Sequence, residues 1–362
     1  MLKIKPGFIR TFAEVLAILL LSTLFTGCDE ISDGTVGQPP SEKSTDAPYT
    51  NAEATPDIGI IQENISVPSD ATPSPDDGLP IVYMTGNISK ESLVSIYKSL
   101  GAAPSGKVAV KVHTGEPPKS NYLRPELMKD LVQMVGGTIV ETNAVAGNRA
   151  SNAKHLQVAK DHGFTEIAEF DLLDADGEIS LPITDGQVLS ETLVGANFPN
   201  YDYYIILSHF KGHASAGYGG AIKNLSIGIA SAAGKSLIHS GGTRRTGYTG
   251  DQDTFLKGMA EAGKSVVDYL NNNLIYINVM NRLSVDCDCM GNPREPDMHD
   301  IGILASFDPV ALDQACVDLV YAAEDGQSLI KRLESRNGIH TLEHAAKIGL
   351  GSREYTLVRI DD

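Results

Sequence analysis

The sequence predicts an α/β protein: a three-layer arrangement in which a mostly parallel or mixed sheet carries helices on both faces. Three observations lead there. Short β-branched runs alternate with helical periodicity between Lys107 and His162. The stretch Tyr203–Ser208 (YYIILS) is almost wholly apolar, which suits a strand buried on both faces rather than one with a wet side. The same alternation resumes at Phe255 and runs to the C-terminus.

Taken in order, Lys107–His113 (KVAVKVH) reads as a strand, Pro125–Val135 as a helix and Gly137–Thr142 (GTIVET) as the next strand, which is a βαβ rhythm. Ser151–His162 is helical, with Gly163 placed as its C-terminal stop. Ala221–Ala233 is a helix-compatible run of small and apolar residues. Then follow a helix over Phe255–Leu270, strands at Leu274–Val279 and Ile301–Ala305, a helix over Pro309–Ala322 and an edge strand at Tyr355–Ile360. These elements are expected to form one domain over residues 79–362.

The N-terminal part reads differently. MLKIKPGFIR carries three basic side chains and leads into the apolar stretch Val15–Phe25, too short to span a bilayer comfortably. Residues 1–27 are therefore expected to be a signal peptide. Leu24–Cys28 (LFTGC) resembles the lipobox of bacterial lipoproteins, which implies palmitate-type lipidation on Cys28, export, and a lipid anchor on the extracytoplasmic side of the cell membrane. Residues 28–78 are rich in Ser, Thr, Pro and acidic groups, show no apolar periodicity, and are expected to be a disordered tether.

Of all residues 42% are hydrophobic and 21% charged, enough apolar material for a substantial core. The net charge of −17 repels polyanions, and the longest basic feature is the Arg244, Arg245 pair. Nucleic acid is excluded as a partner.

The segment Ser208–Asn224 (SHFKGHASAGYGGAIKN) puts two histidines, two lysines and an asparagine around the carboxyl end of the apolar strand. Ligands of open α/β sheets collect in the crevice beyond such ends, and a glycine-rich turn lets backbone N–H groups meet an anion. His209, His213 and Lys211 are candidate catalytic groups, since histidine titrates near neutrality. Lys223, Asn224, Gly217, Gly219 and Gly220 are candidates for binding substrate. Lys111 and His113, two apart on one strand, share a face that reaches the same crevice. Close packing of a glycine turn with solvated histidines would account for the same text. The string GIASAAGKS at Gly228–Ser236 is not a phosphate loop: five residues rather than four separate its glycines, and it follows a helix. His155, His162, His340 and His344 are expected on solvated helix faces.

Cys287, Asp288 and Cys289, followed by Asp297, His299 and Asp300, form the second constellation. Close thiolates chelate zinc or an iron-sulfur cluster when the backbone turns to converge them. Cys287, Cys289 and Asp300 are the candidate ligands. With Cys28 spent on lipid only three cysteines remain, too few for a four-cysteine cluster. The alternatives are a disulfide from Cys316 to Cys287 or Cys289, or Cys316 as a core residue.

The KVAVKVH strand, the block GHASAGYGGAIKNLSIGIASAAGK and the block DCDCMGNPREPDMHDIGILASFDPVALDQACVDLV together resemble the domain of unknown function 362 family, over about residues 80–350. Members often carry ferredoxin-type modules beside this domain, which implies a cluster or metal and redox chemistry. This chain has no CxxCxxCxxxC run, so the implication reaches Cys287 and Cys289 alone.

The resulting expectation is an exported, lipid-anchored, metal- or iron-sulfur-dependent enzyme acting by redox chemistry on a small anionic substrate. An electron-transfer or transport protein is its expected partner. The alternative is a lipid-anchored protein that binds a metal or small solute without turnover.

Overall fold

The computed structural model describes residues 78–248 and 250–361. The signal segment, Cys28 and the tether up to residue 77 lie outside the described residues. No described helix is long and apolar enough to cross a membrane.

In chain order the elements are β1 (Ile81–Thr85), α1 (Lys90–Ser99), β2 (Val108–Lys111), α2 (Pro125–Met134), β3 (Thr138–Glu141), α3 (Asn152–Asp161), β4 (Phe170–Leu172), β5 (Glu178–Pro182) and β6 (Glu191–Gly195). They continue with β7 (Tyr203–His209), β8 (Lys211–His213), β9 (Gly217–Gly219), α4 (Ala221–Ser226), α5 (Ala232–His239), α6 (Gln252–Tyr269) and β10 (Leu274–Met280). The last are β11 (Gly302–Ser306), α7 (Pro309–Ala322), α8 (Gln327–Ser335), α9 (His340–Lys347) and β12 (Thr356–Arg359).

Eight strands form one mixed sheet in the order β12-β1-β11-β10-β7-β2-β3-β4. The pairs β10–β7, β7–β2, β2–β3 and β3–β4 are parallel, whereas β11 runs antiparallel to both its neighbours. The strand period of two sorts the core into halves. Tyr204 and Ile206 of β7 join one half with Tyr276 of β10 and Leu304 of β11, and α4, α6, α7, α8 and α9 cover it. Tyr203, Ile205 and Leu207 join the other with Ile275, Ile277 and Ile303, and α1 and α2 cover that face. Each such aliphatic or aromatic side chain, removed from water on its side of the sheet, contributes roughly 1.5–3 kcal/mol. This is the three-layer arrangement the sequence predicts.

Several local expectations are corrected. The helix expected over Ala221–Ala233 is two helices, because Ser231 takes an extended backbone and its hydroxyl accepts the Gly234 N–H as the N-cap of α5. The glycine-rich run is not a bare turn but the β8–β9 hairpin. His155 and His344 are buried rather than solvated: His155 Nε2 lies 2.9 Å from Thr114 Oγ1 and His344 Nε2 lies 3.0 Å from Glu261 Oε1. Cys316 is a free thiol in the core on α7, accepting from Asn278 Nδ2 at 3.4 Å, and no disulfide joins it to Cys287 or Cys289.

Candidate active site

The chain leaves β2 for β3 on one side and returns as β7 on the other, which opens a crevice at the carboxyl ends of these strands. A cavity of about 500 Å³ occupies it. His113 follows β2, Glu141 ends β3 with Thr142 just beyond it, and Ser208 and His209 end β7; all five line the cavity. The β8–β9 hairpin adds Lys211, His213 and Gly219, α4 is entered through Gly220 and adds Lys223 and Asn224, and the loop after β10 brings Cys287 and Cys289.

That loop is anchored at several points. Glu116 N donates to Asp288 O at 2.8 Å, Gly212 N donates to Ser284 O at 2.8 Å, and Arg332 Nη1 donates to Val285 O at 2.7 Å. Gly212 admits the loop at close range, since a Cβ there would overlap the Val285 backbone. The anchoring converges three soft donors. His213, Cys287 and Cys289 each offer one ligand atom, and these atoms lie within 4.8 Å of one another, so the three could hold a metal ion. Cys289 is exposed and Cys287 buried.

The hydrogen bond from Cys289, with His213 beside it, draws the Cys287 thiol well below its usual value despite burial. Cys289 is pushed up correspondingly, first by that same bond and then by burial. His213 Nδ1 accepts from Ser215 N at 3.1 Å and Ala216 N at 2.9 Å, so the proton of the neutral ring sits on Nε2, the atom 4.0 Å from Cys289 Sγ. Burial, then the charge of Lys223, keeps this imidazole neutral by lowering its pKa.

The structure separates the sequence candidates into those open to a ligand and those spent on the framework. Lys111 is fully buried, and its three N–H groups go to Val112 O, Glu141 Oε2 and Asn224 Oδ1. It therefore has no donor left for a substrate. Asn224 is likewise committed, since its Nδ2 donates to Lys111 O, Leu207 O and Ser208 Oγ and so ties β2 to β7. His209 has an acceptor at each ring nitrogen, Asp288 at Nδ1 and Asn281 O at 2.6 Å from Nε2, which leaves neither for acid–base work. Lys211 pairs with Asp288 at 3.0 Å. Burial opposes its charge, but Asp288 and the Cys287 thiolate outweigh burial and raise its pKa.

Asp300 does not belong to the thiol group: it is exposed and accepts from Arg282 N at 2.6 Å. The imidazole of His213 takes its place. Gly217 (φ +81°) packs against Leu333 of α8 and the nearby Gly338, whose backbones would stand 3.0–3.3 Å from an added Cβ, and it does not line the cavity. At the start of α4, Asp313 already accepts from Ala221 N at 2.7 Å and Ile222 N at 3.0 Å, so these two N–H groups are not open to an anion.

The candidates that remain open are His113, Lys223, Cys287, Cys289 and His213. His113 Nδ1 accepts from Gly115 N at 3.1 Å, which places the ring proton on Nε2, and burial beside Arg149 holds its pKa well below the usual imidazole value. Lys223 makes no ion pair among the described residues. Sequence reading missed Arg149, bonded to Glu116 and Glu141, and Lys235; both line the cavity. Arg149 lies in no motif that singles it out, and Lys235 stands in the Gly228–Ser236 string that spacing rules out as a phosphate loop.

The architecture and this crevice define an α/β protein with a thiol-bearing cavity at the carboxyl ends of its parallel strands. The chain belongs to the domain of unknown function 362 family (DUF362), whose profile matches residues 108–318. Among solved structures it is similar to the lactate racemase apoprotein from Thermoanaerobacterium thermosaccharolyticum, with 14% identity and a TM-score of 0.39 over 67% of this chain and 57% of that one. A structural-genomics protein from Thermotoga maritima is similar at 12% identity and a TM-score of 0.37, over 71% of this chain and 58% of that one. In both cases the chain covers less than two thirds of the neighbour's length. No curated protein sequence matches it.

Proposed function

We propose that the chain is an exported, lipid-anchored enzyme that binds a small anionic substrate in this cavity and acts on it at a metal-holding thiolate centre, with an electron-transfer or transport protein as partner. The observation that supports this reading is the convergence of His213, Cys287 and Cys289 beside Lys223. Three protein donors with one position open suit a catalytic single ion better than a cluster, which needs a fourth protein ligand or an open iron. A bound ion would supply Lewis-acid or redox chemistry. The chain's own residues do the rest: Lys223 meets the anion, His113 Nε2–H donates to a substrate oxygen, and the Lys111–Glu141–Arg149 network holds the cavity floor rigid.

The tautomer of His213 favours a second reading. Metal-bound histidines usually give their other N–H to an acceptor, whereas His213 Nδ1 faces two backbone donors. That arrangement suits Nε2–H donation to a thiolate, and hence a metal-free thiol pair. Metal analysis and an absorption spectrum of protein purified without oxygen separate the two. The metal reading requires about one equivalent of ion per chain, lost in Cys287→Ser and kept in Cys316→Ser. Metal-free protein with reactive thiols at Cys287 and Cys289 establishes the second reading instead.

A further inference from the structure

Lys235 lines the same cavity from α5 and takes no part in the thiol group. It is 8% exposed. Its Nζ donates to Thr142 Oγ1 at 2.5 Å and to Ala230 O at 2.6 Å. Thr142 sends its own hydroxyl hydrogen to Gly228 O at 2.9 Å, so its oxygen can only accept from the lysine. Both partners are neutral. Lys111 and Lys211, by contrast, each sit against a carboxylate at 3.0 Å, and Lys235 makes no such pair among the described residues.

A buried lysine without a counterion favours the amine over the ammonium. The hydrogen bonds agree with this: an NH₂ group has two hydrogens, both are placed, and the lone pair is left over. The charged neighbours do not reverse it. Asp174 and Glu141 favour the ammonium, Lys111 and Arg149 oppose it, His155 and His239 lie within range of its charge, and burial dominates, lowering the pKa to about 7.

We propose that Lys235 is a nucleophilic amine that condenses with the carbonyl carbon of a small oxo acid held in the cavity. The Nζ lone pair forms the C–N bond, and the carbonyl oxygen takes up one of the two protons of that nitrogen. The carbinolamine then loses that oxygen as water together with the nitrogen's proton, leaving an imine. No oxidant or reductant enters. The acid's carboxylate would meet Lys223 and His113, which is where this inference rests on the anionic-substrate reading above.

Reductive trapping tests it on the full chain. The protein is incubated near neutral pH with cyanoborohydride and either glyoxylate, an anionic carbonyl, or propanal, a neutral one, and the modified peptides are identified by mass spectrometry. An ordinary lysine, with a pKa of about 10.4, is amine to only about one part in 2,500 at neutrality. Lys235 should therefore be alkylated about tenfold or more faster than exposed lysines such as Lys98 and Lys154 even after its restricted access is allowed for, and faster with glyoxylate than with propanal. Lys235→Arg should lose that adduct and keep the others. Labelling of Lys235 by propanal without a preference for glyoxylate upholds the amine and removes the anionic-substrate reading. Labelling no faster than at Lys98 with both reagents overturns the proposal, and that result is read on the unaltered protein, whether or not the variant folds.

Discussion

Lys111 and Glu141 face each other across neighbouring parallel strands, Nζ to Oε2 at 3.0 Å, with both side chains out of water. The carboxylate also receives Thr114 N, Thr142 N and Arg149, so one acidic group ties the ends of β2 and β3 to the cavity floor. Burial alone would raise the Glu141 pKa, but Lys111 and its other cationic and imidazole neighbours drive it well below the ordinary range.

Breaking this pair from one side should be costly. Lys111→Met leaves a buried carboxylate short of its counterion and should lower unfolding free energy by about 3–5 kcal/mol. The double variant with Glu141→Gln should lose less than the two single losses combined, as a double-mutant cycle in chemical denaturation will show. Additive losses would mean the two groups act independently.

Acid should destabilise the fold through Asp288. Burial opposes ionisation of this carboxyl, but His209 and Lys211 outweigh it, so its folded pKa is depressed. A depressed acid contributes stability above its unfolded pKa of about 3.9, and that contribution fades as pH falls toward the folded value. Asp313 has the opposite sign: burial raises it to about 6, so its contribution declines as pH climbs from about 4 to 6. Asp288→Asn should flatten the acid limb of stability against pH, and an unchanged limb would remove Asp288 as its cause.

Gly212→Ala should disturb the thiols without touching them. The added methyl meets the Val285 backbone, which cannot give way without moving the loop that carries Cys287 and Cys289. Overpacking of this kind costs about 1–3 kcal/mol. Denaturation together with thiol reactivity checks it, and native thiol reactivity in the variant would show that the loop is not set by this contact.

A chain that starts at Leu79 should unfold cooperatively with the same midpoint as the full chain, because residues 28–78 offer no apolar periodicity to bury. Cys28→Ser should release the protein from the membrane fraction or leave it unprocessed. A lower midpoint in the first experiment, or unchanged fractionation in the second, would count against the tether and the anchor respectively.

The layered fold was legible in the sequence because burial on both faces writes apolar runs such as Tyr203–Ser208 and Leu274–Val279 directly into the chain, and Pro309 with Asp308 marks the start of α7. β1 (Ile81–Thr85) and α1 after its Ser89 cap are not among the elements the sequence predicts, because so short an apolar run carries little periodicity. The crevice followed from strand direction and glycine content. The role of each side chain in it did not. Lys111, His209 and Asn224 look like ligand-binding groups in the sequence, and only the approach of Glu141, Asp288 and Asn281 from distant segments, and of Lys111 and Asn224 to each other, consumes their hydrogen-bonding capacity. His213 looks like a general base; its own β8–β9 turn aims the Ser215 and Ala216 amides at Nδ1 and so leaves the proton on Nε2, which only the fold brings to 4.0 Å from Cys289 Sγ. Lys235 stood in a string that spacing rules out as a phosphate loop, yet a counterion-poor burial site makes it the most unusual amine of the cavity. Periodicity is a local property that the sequence carries by itself. Whether a polar group is paired or open depends on which remote atoms the fold brings within about 3 Å, and that the tertiary structure alone decided.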